Sequence, residues 1–102
     1  EERLERERAR VAGAATLLEA RVHELMPDLL VLDEACVALA VRMLSREDAE
    51  RLIEAGLRYG DVVLTGRDAP QWLLDRAAYV TRMEAVKHPF DEGRPARKGI
   101  EF

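Results

Sequence analysis

Two short polar segments follow two strongly apolar runs of the chain, and their positions favour a ligand site. The segments are Asp33-Glu34, after the run LLVL, and Thr65-Gly66-Arg67, after the run DVVL. Ligands of open parallel sheets bind beyond the carboxyl ends of the strands, so two such segments are expected to meet at one edge. Adjacent carboxylates supply the hard oxygen ligands that Mg²⁺ prefers. The sequence therefore predicts a metal-assisted site built from strand ends.

The elements that must position these residues can be predicted from apolar spacing. Residues 1 to 26 carry no proline and repeat apolar residues at spacings of three, four and seven, which predicts one helix. Pro27 ends it. Residues 29 to 32 then form an apolar run too short for a helix, as in a strand covered on both faces.

The second half of the chain continues the alternation. Residues 35 to 44 are helix-compatible, and the motif SRED predicts an N-cap at Ser45 for a helix through Leu57. A strand over DVVL and a helix from about Asp68 to Ala77 follow, and AYVTRME, residues 78 to 84, predicts a third strand. From residue 86 onward, proline, glycine and charge predict an irregular tail.

This order of elements predicts an α/β fold with a mostly parallel sheet and helices on its faces. The 102 residues, 48% of them hydrophobic, amount to one domain or part of one. Because the chain starts inside a predicted helix, we expect it to be part of a longer protein.

Composition and charge indicate which classes of partner and which compartment suit the chain. Acidic and basic residues are interspersed and the net charge is −4, which argues against nucleic acid. No apolar stretch approaches the roughly 20 residues of a membrane span. The single cysteine, Cys36, lies in an apolar stretch and suits a reducing compartment. These features favour a soluble cytoplasmic protein.

The candidate site residues have a functional interpretation and simpler structural ones. In the functional interpretation, four aliphatic residues followed by Asp-Glu match the Walker B strand of nucleotide enzymes, whose aspartate holds Mg²⁺. In a simpler interpretation, the two acids are a helix N-cap, since acids directly after a buried strand also occur in that role. Arg67 is equally consistent with a surface arginine paired with Asp68.

Four motifs together carry a specific family resemblance. They are DLLVLDEACVALA, VVLTGRDAP, AAYVTRMEAVKHPFDEG and ARKGIEF. In this order they closely resemble the P-loop-type ATP:cob(I)alamin adenosyltransferases, the CobA/BtuR family. The resemblance spans about residues 20 to 102 and implies a three-layer, RecA-like fold with a mostly parallel sheet. The family's glycine-rich phosphate loop is absent from this sequence, so the resemblance implies an incomplete, C-terminal portion of that fold over residues 1 to 102, inactive alone.

The resemblance implies a reaction and roles for the strand-end residues. Family members transfer the 5′-deoxyadenosyl group of ATP to Co(I) of a reduced corrinoid, such as cobalamin or cobyrinic acid diamide, and release triphosphate. Asp33 and Glu34 would hold Mg²⁺, Thr65, Gly66 and Arg67 would line the nucleotide site, and Glu34 and Arg67 would act in catalysis. The resemblance further implies a homodimer and a Co-reducing flavoprotein partner.

The resemblance also places the tail motifs, and the sequence leaves two alternative functions possible. The segment Lys87 to Phe90 and the end Gly99 to Phe102 would lie near the active site, and a structural hydrogen bond is the simplest role for His88. One alternative function is a RecA-like ATPase domain in which Glu34 activates water. The other is a non-catalytic interaction fragment, because the phosphate loop is missing.

Overall fold

The computed structural model describes residues 2–82, and within that range it contains four helices and two strands. The elements are α1 Glu2–Leu25, β1 Leu29–Leu32, α2 Ala35–Ala40, α3 Arg46–Leu57, β2 Asp61–Leu64 and α4 Gln71–Arg76. The chain divides into two compact units, one ending at Pro70 and the other beginning at Gln71. The first unit holds both strands and three helices, and α4 belongs to the second.

The two strands form a parallel sheet in which Leu29 pairs with Asp61 and Leu32 pairs with Leu64. Parallel neighbours require a crossover connection, and here α2 and α3 lie between the strands in sequence. This confirms the predicted α/β class with parallel strands. The described residues contain a two-stranded sheet, and the complete three-layer, RecA-like sheet remains a prediction.

Helix α3 is the centre of the first unit, because it contacts both α1 and β2. Its buried face includes Ala49, Leu52 and Ile53, at the spacing of an amphipathic helix. Burying one leucine or isoleucine side chain contributes about 1.5–3 kcal/mol. Gly56 allows α3 to approach the sheet, since a Cβ there would lie 2.9 Å from Leu30 Cδ2. The core therefore sits between α3 and one face of the sheet, with α1 packed on α3.

Local hydrogen bonds explain where two helices begin and end. The Ser45 hydroxyl accepts a hydrogen bond from the Asp48 amide at 3.1 Å, which confirms the predicted N-cap of α3. Helix α2 ends at residue 40 rather than 44, because Arg42 adopts a left-handed conformation with φ 60°. The amides of Arg42 and Met43 donate to Leu39 O and Ala38 O, the pattern of a Schellman motif.

Two further predictions need correction. The predicted strand over residues 78 to 84 is not present in its described part, residues 78–82. Tyr79 and Val80 are exposed there, and strand propensity produces a strand only where a neighbouring backbone supplies hydrogen bonds. Strand β1 is also not covered on both faces by the described residues, since Leu29 and Val31 are 54% and 51% exposed.

Over residues 2–82, no helix is both long enough and apolar enough to cross a bilayer. The predicted irregular tail from residue 86, including His88, Lys87 to Phe90 and Gly99 to Phe102, lies outside the described residues.

Candidate functional site

The carboxyl ends of β1 and β2 bring the two polar segments together. Leu32 and Leu64 are paired residues, so Asp33 and Thr65 follow the strands at the same level of the sheet. The Thr65 amide continues the ladder by donating to Leu32 O at 3.2 Å. The predicted meeting of Asp33, Glu34 and Thr65 at one sheet edge is therefore observed.

Thr65 is the central residue of this edge. Its side chain is buried, with 5% of the residue exposed, and its hydroxyl makes two hydrogen bonds. Oγ1 donates to Asp33 Oδ1 at 2.9 Å and accepts from the Glu34 amide at 2.9 Å. The Thr65 carbonyl accepts from the Cys36 amide at 3.0 Å. One threonine thus ties the end of β2 to the segment that joins β1 to α2.

The two acids do not cap α2 through their side chains. Glu34 occupies the N-cap position, but its side chain makes no cap hydrogen bond. Asp33 instead accepts from the Thr65 hydroxyl. Both residues are exposed, so their carboxylates are accessible from solvent. The helix-cap interpretation of these acids is therefore not supported by the geometry.

Glu34 has an uncommon backbone conformation, with φ 60° and ψ 17°. Non-glycine residues in this left-handed region are infrequent and cost about 1–2 kcal/mol. The hydrogen bond from the Glu34 amide to Thr65 Oγ1 fixes this conformation on the sheet side. The turn directs the chain from β1 into α2 immediately after the two acids.

Gly66 lies against the start of α2 and has φ 126°, a conformation suited to glycine. A Cβ at this position would lie 3.1 Å from both Cys36 Cβ and Val37 N. A side chain would therefore be strained and crowded. The structure explains Gly66 by this close approach of two backbones.

Arg67 extends the edge into solvent. The residue is exposed, and the described residues show no ion pair between it and Asp68. The alternative of an Arg67–Asp68 surface pair is thus not observed. A permanently charged guanidinium close in sequence to the Thr65–Asp33 contact is chemically suited to bind phosphate oxygens.

Cys36 lies directly behind the edge and is buried, with 4% exposed. Burial raises the pKa of its thiol, and the negative charge of Glu34 raises that pKa further. A thiol with these surroundings stays protonated at neutral pH and is a poor nucleophile. Cys36 therefore acts as a packing residue of this edge.

The carboxylates fit a Mg²⁺ ion that arrives with a nucleotide. Mg²⁺ needs only one or two protein carboxylates in that case, because phosphates and waters supply its other ligands. Among residues 2–82, no group of three or more His, Cys, Asp and Glu side chains is arranged to hold a metal ion alone. Asp33 is the better placed of the two acids, since a hydrogen bond orients its carboxylate.

Sequence reasoning placed these residues at one edge but missed the hydrogen bonds between them. The signal was available in part, because Asp33 and Thr65 each follow a strand directly. The rotamers that join their side chains have no sequence signature.

An open surface cleft of about 580 Å³ lies away from the strand ends, and Glu19, His23 and Arg58 are among its lining residues.

A family model described as ATP:corrinoid adenosyltransferase BtuR/CobO/CobP matches residues 1–102. A corrinoid adenosyltransferase of Sinorhizobium sp. is 36% identical over 101 residues, which cover 94% of this chain and 47% of that protein. No solved structure gives a significant match.

Two further relatives match a shorter stretch. A corrinoid adenosyltransferase of Pseudomonas aeruginosa is 40% identical over 74 residues, covering 72% of this chain and 36% of the relative. The corrinoid adenosyltransferase CobA of Salmonella typhimurium is 35% identical over 75 residues, covering 74% of this chain and 38% of the relative. This chain therefore spans about half or less of the length of these curated relatives. The match over its whole sequence shows that the chain belongs to the ATP:corrinoid adenosyltransferase family BtuR/CobO/CobP.

Proposed function

We propose that this chain is part of a corrinoid adenosyltransferase and supplies two carboxylates of its active site, Asp33 and Glu34. The intact enzyme transfers the 5′-deoxyadenosyl group of ATP to Co(I) of a reduced corrinoid, in adenosylcobalamin biosynthesis or salvage. Family membership supports the reaction class. The observation that carries the site assignment is the exposed Asp33 carboxylate held by Thr65 at the ends of two parallel strands.

The proposed reaction is a displacement at carbon. The cobalt lone pair forms the bond to C5′, the C5′–O bond breaks, and its electron pair leaves on triphosphate. Cobalt is thereby formally oxidised from Co(I) to Co(III). The nucleophile is the metal of the substrate, so the protein needs no general base to generate it. What the protein must supply is orientation of the two substrates and stabilisation of the leaving group.

The residues of this chain fit those two tasks. Asp33 would hold Mg²⁺ directly or through water, with Glu34 beside it. Mg²⁺, when bound, neutralises charge on the triphosphate. Arg67 would bind phosphate or another substrate charge through its guanidinium. Gly66 permits the close approach of the two strand-end segments that this arrangement needs.

Other parts of the proposal concern the intact protein. The phosphate loop that cradles triphosphate in P-loop enzymes is absent from the 102 residues, so we propose that this chain alone is inactive. We further propose a cytoplasmic homodimer that receives Co(I) corrinoid from a flavoprotein reductase. The relatives' names support the corrinoid substrate and none of these further points.

The products of ATP distinguish this function from its alternatives. The intact protein, given ATP, Mg²⁺ and chemically reduced corrinoid, should form a light-sensitive cobalt–carbon bond and release triphosphate in one piece. Phosphorus NMR measures the second product directly. ADP and orthophosphate, with unchanged corrinoid, would instead support a RecA-like ATPase. Failure of the intact protein to convert either substrate would support a non-catalytic interaction protein.

A pair of matched variants tests the role of Asp33. Asp33→Asn should lower Mg²⁺-dependent turnover by about 100-fold, because a charged ligand becomes neutral. Asp61→Asn makes the same chemical change at the opposite end of the sheet and should leave turnover unchanged. Equal activity of the two variants would remove Asp33 from the metal site.

A further inference from the structure

The chemistry of its two partners determines in which hydrogen bond the Thr65 hydroxyl donates and in which it accepts. A backbone amide can only donate, so the bond with Glu34 N uses a lone pair of Oγ1. The single hydroxyl proton is then directed to Asp33 Oδ1. An ionised carboxylate can only accept, which makes the two assignments consistent.

The backbone of Thr65 is engaged by the same segment. Its amide donates to Leu32 O and its carbonyl accepts from Cys36 N. The amide, carbonyl and hydroxyl of Thr65 are therefore all bonded to residues 32 to 36, and 5% of the residue is exposed. A hydroxyl that is buried and has committed its proton cannot donate to a nucleotide phosphate.

We propose that Thr65 is a positioning residue, which orients the Asp33 carboxylate and fixes the left-handed turn at Glu34 rather than contacting the nucleotide. With Oδ1 bonded to Thr65, the rotation of the carboxylate is restricted, and the carboxylate meets a cation through its remaining lone pairs. The same hydroxyl holds the Glu34 amide, so one side chain sets the relative placement of both acids. This inference rests on the proposed function, because it concerns the same cation.

The decisive variants remove or keep the hydroxyl. Thr65→Val keeps the shape of the side chain but loses both hydrogen bonds, whereas Thr65→Ser keeps the hydroxyl. Loss of a residue that orients a metal ligand typically weakens metal affinity about 10–100-fold. Thr16→Val is the matched control, because the Thr16 hydroxyl bonds only within α1, to Ala12 O.

The first measurement is Mn²⁺ binding to the intact protein in the presence of ATP, followed by EPR titration, with Mn²⁺ as the probe for Mg²⁺. Thr65→Val should bind Mn²⁺ at least about 10-fold more weakly. Thr65→Ser and Thr16→Val should stay near the wild type. In kinetics, Thr65→Val should raise the Mg²⁺ concentration for half-maximal turnover and leave KM for the corrinoid unchanged. Wild-type Mn²⁺ affinity in a folded Thr65→Val protein would overturn the proposal.

The second measurement does not depend on a variant or on activity. In the wild-type protein, proton NMR should show the Thr65 hydroxyl proton in slow exchange with water, because it is buried and bonded to a carboxylate. The Glu34 amide should be protected as well. Rapid exchange of both protons would overturn the positioning role even if Thr65→Val fails to fold. Since neither proton reports on adenosyl transfer, this result is separable from failure of the proposed function.

Discussion

The buried thiol of Cys36 gives the candidate site a titratable group on its inner side. Its pKa is raised, first by burial and then by the nearby charge of Glu34. The neutral thiol is therefore favoured more strongly in the folded protein than in the unfolded chain. The resulting contribution to stability is fully present below the ordinary pKa of the unfolded thiol and is lost as the pH rises through the higher folded pKa.

This linkage predicts a pH-dependent difference between the wild type and Cys36→Ala. Once the pH exceeds the ordinary pKa of the unfolded thiol, the free energy of unfolding of the wild type should fall faster with pH than that of Cys36→Ala, by at most about 1.4 kcal/mol per pH unit. Urea melts of both proteins at several pH values between 7 and 10 measure the difference. Cys36→Ala is the control for the wild type, because the two proteins share every other titrating group. Parallel pH profiles would show that the thiol is not perturbed by folding.

At the scale of residues, the sequence predicted which side chains meet at the sheet edge but not the hydrogen bonds between them. Asp33 and Thr65 were predicted at one edge because parallel strands end together. The hydrogen bond between them depends on two rotamers and on a strand register, none of which a single sequence specifies. The left-handed turn at Glu34 was also unpredicted, since glutamate has no special preference for that conformation.

At the scale of elements, the connection between α3 and β2 depends on a glycine with no room for a side chain. A Cβ at Gly60 would meet the backbone of Asp28, with Asp28 Cα only 2.7 Å away. The same segment carries the bond from the Asp61 amide to Asp28 O at 2.9 Å, just before the strands pair. Backbone atoms cannot rotate away as a side-chain tip can, so the close approach is a requirement of the fold.

Two glycine substitutions with opposite expected signs test this packing. Gly60→Ala should lower the free energy of unfolding by about 1–3 kcal/mol, the usual cost of overpacking. Gly13→Ala is the control, because a Cβ at Gly13 meets nothing within 4 Å in the middle of α1. It should raise stability by about 0.5–1 kcal/mol. Chemical denaturation of both variants measures the effects, and equal changes would contradict the crowding at Gly60.

The elements with strong local signals were predicted well, and those that depend on distant partners were not. The apolar stripe gave α1, and the Ser45 cap fixed the start of α3. The early end of α2 at residue 40 depends on a Schellman motif with arginine in the position usually held by glycine. The third strand was predicted from composition, which cannot say whether a neighbouring backbone is available to pair with it.

At the scale of the whole molecule, the described sheet resembles one layer of a larger α/β domain. Parallel sheets are normally covered on both faces, yet Leu29 and Val31 remain about half exposed on β1. The curated relatives are at least about twice as long as the stretch they share with this chain. Both observations support the proposal that residues 1 to 102 are one portion of a P-loop domain.

The 102-residue chain by itself should therefore bind Mg-ATP weakly, with a Kd of about 1 mM or higher, which is a binding free energy no more favourable than about −4 kcal/mol. Asp33 and Glu34 can share a cation with ATP, but carboxylates without it repel the triphosphate, and the net charge of −4 adds to that repulsion. The backbone amides and lysine of a phosphate loop, which normally neutralise and cradle the phosphates, are absent from the sequence.

Isothermal titration calorimetry of the 102-residue chain and of the intact protein, in the same buffer, measures the difference. The intact protein should bind Mg-ATP more tightly by orders of magnitude, and Asp33→Asn should weaken its binding. In the isolated chain the same substitution should change little, because Asp33 then has almost no bound metal–nucleotide complex to stabilise. Micromolar binding by the chain alone would mean that its strand ends form a nucleotide site without a phosphate loop, and would contradict the argument that tight Mg-ATP binding needs that loop.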